Sequence, residues 1–272
     1  MTWAEAVRAA TERLRAAGVT DPARDARVLA RWVAGLEAAG FVAAMDRPAD
    51  LNAFEAAVAA RAARQPVSQI TGSRLFWGRS FRVTPDVLDP RPETEILVAA
   101  ALETPARRVL DLGTGSGCLL LTLLANWPEA GGLGTDLSAA ALAVAQANAA
   151  DLGLADRVAF QEADWLDGVT GAFDLIVSNP PYLTADELAA APPELAHEPA
   201  GALSPGGDGL DAYRKIAAGA PSHLAPNGRL MVEIGASQGP KVCEIFENAG
   251  LSDITILPDL DGRDRVVTAR DC

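Results

Sequence analysis

Val109-Leu110-Asp111-Leu112-Gly113-Thr114-Gly115-Ser116-Gly117 is the stretch that decides the fold. A short run, apolar apart from Asp111, leads into glycines at alternate positions, and a helical pattern over 116–125 follows. A strand that turns on glycine into a helix brings backbone close to a ligand at the carboxyl edge of a parallel sheet. A tight structural turn would need the same residues, so this stretch alone does not name a ligand.

The alternation continues downstream. Strands are predicted over 133–136, 158–161, 173–178, 230–234, 254–257 and 266–269, with helices over 139–150, near 209–220 and over 239–249. Such alternation implies right-handed βαβ units, hence an α/β fold with a Rossmann-like, mostly parallel sheet of about seven strands.

Upstream the texture is helical. Thr2 and Glu5 have capping-box spacing, Trp3, Val7, Ala10 and Leu14 share one face, and Gly18 ends the helix. Asp21-Pro22 opens a second helix with Leu29, Trp32, Val33 and Leu36 on its apolar side, and core packing is the expectation for Trp3 and Trp32. Asn52 with Glu55 is read as the start of a third, running to about Arg64. Two short strands, 73–77 and 80–84, flank Gly78 as a hairpin, and Pro85, Pro90 and Pro92 then forbid a regular helix. The expected organisation is a helical domain over 1–70, a hairpin linker over 71–92 and an α/β domain over 93–272.

The 272 residues are 49% hydrophobic, enough for a real core. No apolar run of about 20 residues suggests a membrane span, and the N-terminus does not read as a secretory signal. Cys118, Cys243 and Cys272 are scattered, without metal-ligand spacing, so no metal is expected and the expected location is cytoplasmic. The net charge of −13 argues against generic nucleic-acid binding. Residues 1–83 hold 12 Arg and 8 acidic residues, net +4, leaving the rest at net −17. That split either solubilises the protein or steers a basic partner.

Two companions point the glycine loop toward a nucleoside-bearing ligand. Asp136 ends the next strand, where a carboxylate can accept both hydroxyls of a ribose, although it could instead cap the helix that follows. Asp164-Trp165 follows the third strand, where an aromatic ring can cover an adenine, or simply pack in the core. A dinucleotide site would want Gly-x-Gly-x-x-Gly, whereas this loop reads Gly-x-Gly-x-Gly behind an acidic residue.

Ser178-Asn179-Pro180-Pro181-Tyr182 closes the fourth strand of the sheet. A bare Asn-Pro turn is the plain alternative. The chemistry accounts for the composition better. An amide or exocyclic amine nitrogen is a poor nucleophile because its lone pair is delocalised. A site can orient it by accepting its two hydrogens on the Asn179 side-chain carbonyl and the Pro180 backbone carbonyl. Proline holds that carbonyl rigid, and Tyr182 offers a wall for a planar group. The two histidines, His197 and His223, lie in no recognisable catalytic or metal arrangement.

Phe76-Trp77-Gly78, Pro90-Arg91-Pro92-Glu93-Thr94-Glu95, Asp111 to Gly117, Asn179 to Tyr182, Gly206 to Leu210, Glu233-Ile234-Gly235 and Gly262-Arg263-Asp264-Arg265 occur in that order. Together they resemble the bacterial peptide chain release factor glutamine N5-methyltransferases over essentially the whole chain. The resemblance implies a class I methyltransferase sheet and transfer of methyl from S-adenosylmethionine, leaving S-adenosylhomocysteine. The implied acceptor is the glutamine amide in the Gly-Gly-Gln loop of class I release factors. It implies donor contacts at Gly113, Thr114, Gly115, Ser116, Gly117, Asp136, Trp165 and Asn179, and substrate contacts at Asn179, Pro180, Pro181 and Tyr182. Of these, Asn179, Pro180 and Tyr182 are the expected catalytic residues. The small helical domain would help to hold the release factor; a monomer without direct nucleic-acid or membrane partners is expected. Arg91 to Glu95 are expected to border the pocket. One departure is visible: relatives commonly carry a bulkier residue after the Glu-Pro pair, where this chain reads Glu198-Pro199-Ala200-Gly201. The alternatives are the sister enzyme that methylates a ribosomal-protein glutamine, an adenine-N6 nucleic-acid methyltransferase that flips its base, and a non-enzymatic binding module.

Overall fold

A computed structural model describes residues 1–271; Cys272 lies outside the described residues, and Cys118 and Cys243 are free thiols. The chain divides into two compact units, Met1–Ser73 with Pro192–His197, and Arg74–Ala191 with Glu198–Cys272.

The first unit contains α1 (Trp3–Ala16), α2 (Pro22–Ala34), α3 (Ala38–Ala43), α4 (Leu51–Ala62) and α5 (Val67–Thr71). The Thr2–Glu5 capping box forms, with both reciprocal bonds present. Trp3 is buried and meets Phe41 and Phe54 edge to face at 5.7 and 5.6 Å, an arrangement that suits the ring quadrupoles. Two expectations are corrected. Trp32 is 47% exposed rather than buried, because the core closes over Leu29 and Ala30 one turn earlier. The cap of α4 is Asp50, whose carboxylate accepts from the Ala53 N–H, not Asn52, which falls inside the helix. Arg61 is buried, bonded through Nε to Asp25 (2.7 Å) and through Nη2 to Glu194 (2.9 Å). Arg64 Nη2 holds the other Glu194 oxygen at 2.7 Å, so the 192–197 segment folds as part of this unit.

The hairpin of β1 (Ser73–Phe76) and β2 (Arg79–Arg82) starts at the last residue before the second unit, and α6 (Thr94–Leu102) follows. The strands β3 (Arg108–Leu112), β4 (Gly131–Asp136), β5 (Val158–Glu162) and β6 (Phe173–Ser178) then alternate with α7 (Cys118–Asn126) and α8 (Ala139–Asp151). Short α9 (Ala185–Ala189) and α10 (Ala200–Leu203) precede α11 (Asp211–His223), β7 (Leu224–Glu233), α12 (Gly239–Asn248), β8 (Ser252–Pro258) and β9 (Asp264–Arg270). The sheet order is β5-β4-β3-β6-β7-β9-β8; pairings from β5 through β7 are parallel, and β9 pairs antiparallel with β7 and β8.

Both faces of this sheet are covered. Leu175 and Val177 of β6 face one core cluster, with Leu120 and Leu124 of α7, while Ile176 between them faces the other, with Ile216 of α11 and Phe246 of α12. That period-2 alternation between two buried faces is why the parallel strands read as continuous apolar runs. β4 and β5 lie on one side of β3 and β6 on the other, so the chain reverses direction across the sheet beside β3. Open α/β sheets bind ligands outside the carboxyl ends of their strands at such a point.

Candidate active site

The carboxyl ends of β3, β4, β5 and β6 converge on a cavity of about 410 Å³, within the range of small-molecule sites. Gly113, Gly115 and Gly117 all have positive φ (68°, 55° and 77°), a region that residues bearing a Cβ rarely adopt. Their roles differ. A Cβ on Gly117 would stand 3.0 Å from Leu121 Cδ1 and 3.3 Å from Ala145 Cβ, so that glycine lets α7 and α8 pack. A Cβ on Gly115 meets no protein atom within 4 Å, and Gly115 lines the cavity. Gly113, Thr114 and Ser116 line it as well, whereas Gly117 does not. The loop is tied from behind by Asn148, whose Nδ2 donates to the Ser116 carbonyl at 2.8 Å.

Asp136 lines the cavity and does not cap α8; Ser138 does, accepting from the Ala141 N–H. Asp136 Oδ2 accepts from the Gly115 N–H and Oδ1 from the Ser138 N–H, each at 2.9 Å. A carboxylate oxygen has two acceptor sites, so each retains one for an outside hydroxyl. Leu137, 71% exposed, and Trp165 also line the cavity. Trp165 has a φ of 58°, its carbonyl accepts from Thr135 Oγ1 at 3.1 Å, and its ring lies 3.7 Å from where a Gly113 Cβ would stand. Asp111 is fully buried, which pushes its carboxyl up to about 7, and the Thr114 hydroxyl donates to it at 2.7 Å.

Asn179 and Pro181 line the cavity as well, whereas the buried Pro180 and the half-buried Tyr182 are not among its lining residues. The Ser178 hydroxyl donates to the Leu112 carbonyl at 2.7 Å and holds the end of β6 against β3. Asn179 Nδ2 donates to Thr94 Oγ1 at 3.1 Å, Thr94 Oγ1 donates to Glu233 Oε2 at 2.6 Å, and Tyr182 OH donates to Glu233 Oε1 at 3.3 Å. Asn179 Oδ1 and the Pro180 carbonyl accept no hydrogen bond among the described residues. The Tyr182 carbonyl accepts from Gln238 Nε2 at 3.0 Å, and a Cβ on Gly209 would stand 2.5 Å from that oxygen. That contact explains the glycine at the end of 206–209.

Several residues of uncertain role acquire one. Arg91 lines the cavity and its Nη2 donates to both Glu198 oxygens, at 2.7 and 2.8 Å. The Glu198 side chain is 1% exposed, and Pro199, Gly201 and Ala202 after it complete the cavity wall. Glu95 Oε1 accepts from the Trp77 N–H at 2.8 Å and so holds the hairpin turn. His197 Nε2 meets the Ala63 carbonyl at 3.1 Å, and His223 meets the Gly219 and Val169 carbonyls; both are accounted for structurally. Thr94 and Glu233 carried no individual role in the sequence, since their partners lie far along the chain. Among the described residues no group of three or more His, Cys, Asp or Glu is arranged to hold a metal ion, and no helix is long and apolar enough to cross a membrane.

A release factor glutamine methyltransferase from Cereibacter sphaeroides is 58% identical, covering 99% of both chains. The chain belongs to the release factor glutamine methyltransferase family. A Rhodospirillum rubrum member is 49% identical over 95% of this chain and 82% of its own. Two family models match parts of the sequence, the PrmC N-terminal domain over residues 5–72 and the methyltransferase small domain over 87–210. The release factor glutamine methyltransferase fold extends to distant proteins. The solved hMettl16 catalytic domain, in complex with MAT2A 3'UTR hairpin 6, aligns with a TM-score of 0.59 at 17% identity, covering 78% of this chain and 81% of that one. The chain is thus a methyltransferase on a Rossmann-like sheet.

Proposed function

We propose that this chain transfers the methyl group of S-adenosylmethionine to the side-chain amide nitrogen of the glutamine in the Gly-Gly-Gln motif of class I peptide chain release factors, in support of translation termination. The observation that carries the reading is Asn179 at the cavity wall with an Oδ1 that accepts no hydrogen bond among the described residues, in a chain alike over its full length to a named release factor glutamine methyltransferase.

The cavity fits the donor. The backbone of 113–116 and the two spare acceptor sites of Asp136 suit an amino-acid tail and a ribose, and Leu137 and Trp165 suit the two faces of an adenine. S-adenosylmethionine, when bound, supplies an electrophilic methyl on a positively charged sulfur. The protein's part is orientation. Asn179 Oδ1 and the Pro180 carbonyl each accept one N–H of the glutamine amide, which turns the nitrogen face toward the methyl. The N–C bond forms as the methyl–sulfur bond breaks, and the surplus amide proton leaves to water. No strong base is required, because geometry replaces basicity. Residues 1–70 hold the release factor, 71–92 link, and 93–272 carry the chemistry.

The decisive experiment offers radiolabelled donor to purified release factor, ribosomal protein and DNA in parallel. Label on release factor, abolished when its Gly-Gly-Gln glutamine is replaced by alanine, is expected. Label on ribosomal protein or DNA instead would replace this reading with one of its rivals.

A further inference from the structure

The cavity wall at Asn179 is held by residues to which nothing so far gives a part in the reaction. We infer that Thr94 and Glu233 are positioning residues: together they fix the Asn179 amide with its nitrogen inward and its oxygen free for the acceptor. The inference rests on Asn179 as the group that orients the acceptor amide.

The argument is one of donors and acceptors. An ionised carboxylate only accepts, so Glu233 obliges both hydroxyls that touch it, Thr94 at 2.6 Å and Tyr182 at 3.3 Å, to donate. Once the single hydrogen of Thr94 is committed, its oxygen can only accept. The Asn179 atom 3.1 Å away must therefore be the amino group. The carbonyl oxygen is thereby left unpaired at the cavity. Both relay members are buried, Thr94 at 2% and Glu233 at 1% exposure, so water does not compete for these bonds. A flipped Asn179 would offer hydrogens to an amide that itself brings hydrogens, and the acceptor would be repelled.

The relay requires the ionised carboxylate. Burial pushes the Glu233 carboxyl up to about 7, against the lowering effects of the Thr94 hydroxyl, the Arg265 charge and the Tyr182 hydroxyl, while Glu93 adds to the rise. The remaining groups facing it stay protonated at neutral pH. Burial raises the Tyr182 and Tyr213 hydroxyls well above their ordinary range and the Cys118 thiol to about 12. Below the Glu233 pKa, its proton can be donated to Thr94. The Thr94 hydrogen is then free to turn toward Asn179, which releases the amide from its single orientation. Turnover should therefore fall as pH drops through about 7.

The test reads the free protein first. The Asn179 side-chain NH2 signals, assigned by their loss in Asn179→Ala, are followed by 15N NMR in wild type, Thr94→Val, Thr94→Ser and Glu233→Gln. Expected are a shifted, exchange-protected proton in wild type and Thr94→Ser, its loss in Thr94→Val, and a pH titration near 7 that Glu233→Gln abolishes. Kinetics with release factor should then show Thr94→Val losing roughly 10- to 100-fold in kcat with donor affinity unchanged. Thr94→Ser should recover most of that loss, and the acidic limb should vanish in Glu233→Gln. Asn179 signals indifferent to Thr94→Val and to pH overturn the inference, as does responsive signalling with unaltered kcat. A wild-type protein that leaves release factor unlabelled overturns the functional reading instead, and the NMR outcome still judges the relay.

Discussion

The wall of the cavity formed by residues 113–116 presents backbone, whereas the wall at Asn179 presents a side-chain amide bonded to Thr94, which is bonded in turn to Glu233. Each arrangement suits its task. A donor held for binding needs close approach and matched hydrogen-bond partners, which a glycine loop and one carboxylate provide from a single stretch and the next strand end. An acceptor held for reaction needs one orientation out of several, which requires rigidity from every side. The 113–116 loop and Asp136 lie at the ends of β3 and β4, while the bonds from Asn179 to Thr94 and from Thr94 to Glu233 join α6, the end of β6 and the end of β7. Damage to the first should appear in donor affinity and damage to the second in turnover.

The largest effect is expected from Gly115→Val. At a φ of 55° a β-branched residue is strained, and its side chain has only the open space beside the loop to enter. Calorimetry should find no measurable donor binding in a variant whose circular dichroism is unchanged; retained affinity would remove the loop from the donor wall. Asn179→Ala tests the opposite wall. It should lower kcat by at least about 100-fold while donor affinity stays near wild type. Near-normal turnover would end the orientation mechanism, and a matching loss of donor affinity would erase the distinction between the walls.

Asp136→Ala should weaken donor binding by about 2 kcal/mol, the scale for removing a charged hydrogen-bond partner, or about 30-fold in Kd. Part of that loss comes through the Gly115 and Ser138 N–H groups that Asp136 also holds. Turnover at saturating donor should be nearly restored, and a kcat defect that saturation does not repair would show that Asp136 acts beyond binding. The smallest effect is expected at Tyr182. Tyr182→Phe keeps the ring and loses only a 3.3 Å bond to Glu233, so a loss below about 10-fold in kcat is expected, with Tyr182→Ala clearly worse. Equal losses would mean that the hydroxyl, as part of the relay, matters more than the ring.

Legibility in the sequence followed the same division. The strand–glycine–helix stretch at 109–117 and the chain of strand ends were readable because their signals are local: period-2 burial, positive-φ glycines, a carboxylate at a strand terminus. Errors arose where a local pattern needed a neighbour to interpret it. The helical period groups Trp32 with Leu29 and Val33 on one side of α2, but only Leu29 and Val33 reach the core, and Trp32 at its edge stays 47% exposed. No sequence signal marks the start of α6, because the prolines up to Pro92 mask a helix that begins two residues later at Thr94. The apolar pattern of β7 begins only at 230, because Pro226 and the left-handed Asn227 interrupt it.

By itself, then, the sequence determined the doubly covered parallel sheet, the helical leading unit, the glycine loop and the Asn-Pro-Pro-Tyr turn. Each of these is specified by periodicity or backbone geometry within a few residues. Only the tertiary structure decided which partners Arg91, Thr94, Glu95, Glu198 and Glu233 meet. Thr94 meets Glu233 across 139 residues of chain, and Arg91 meets Glu198 across 107. A buried polar group requires a partner, but no local pattern says which one the fold will bring to it.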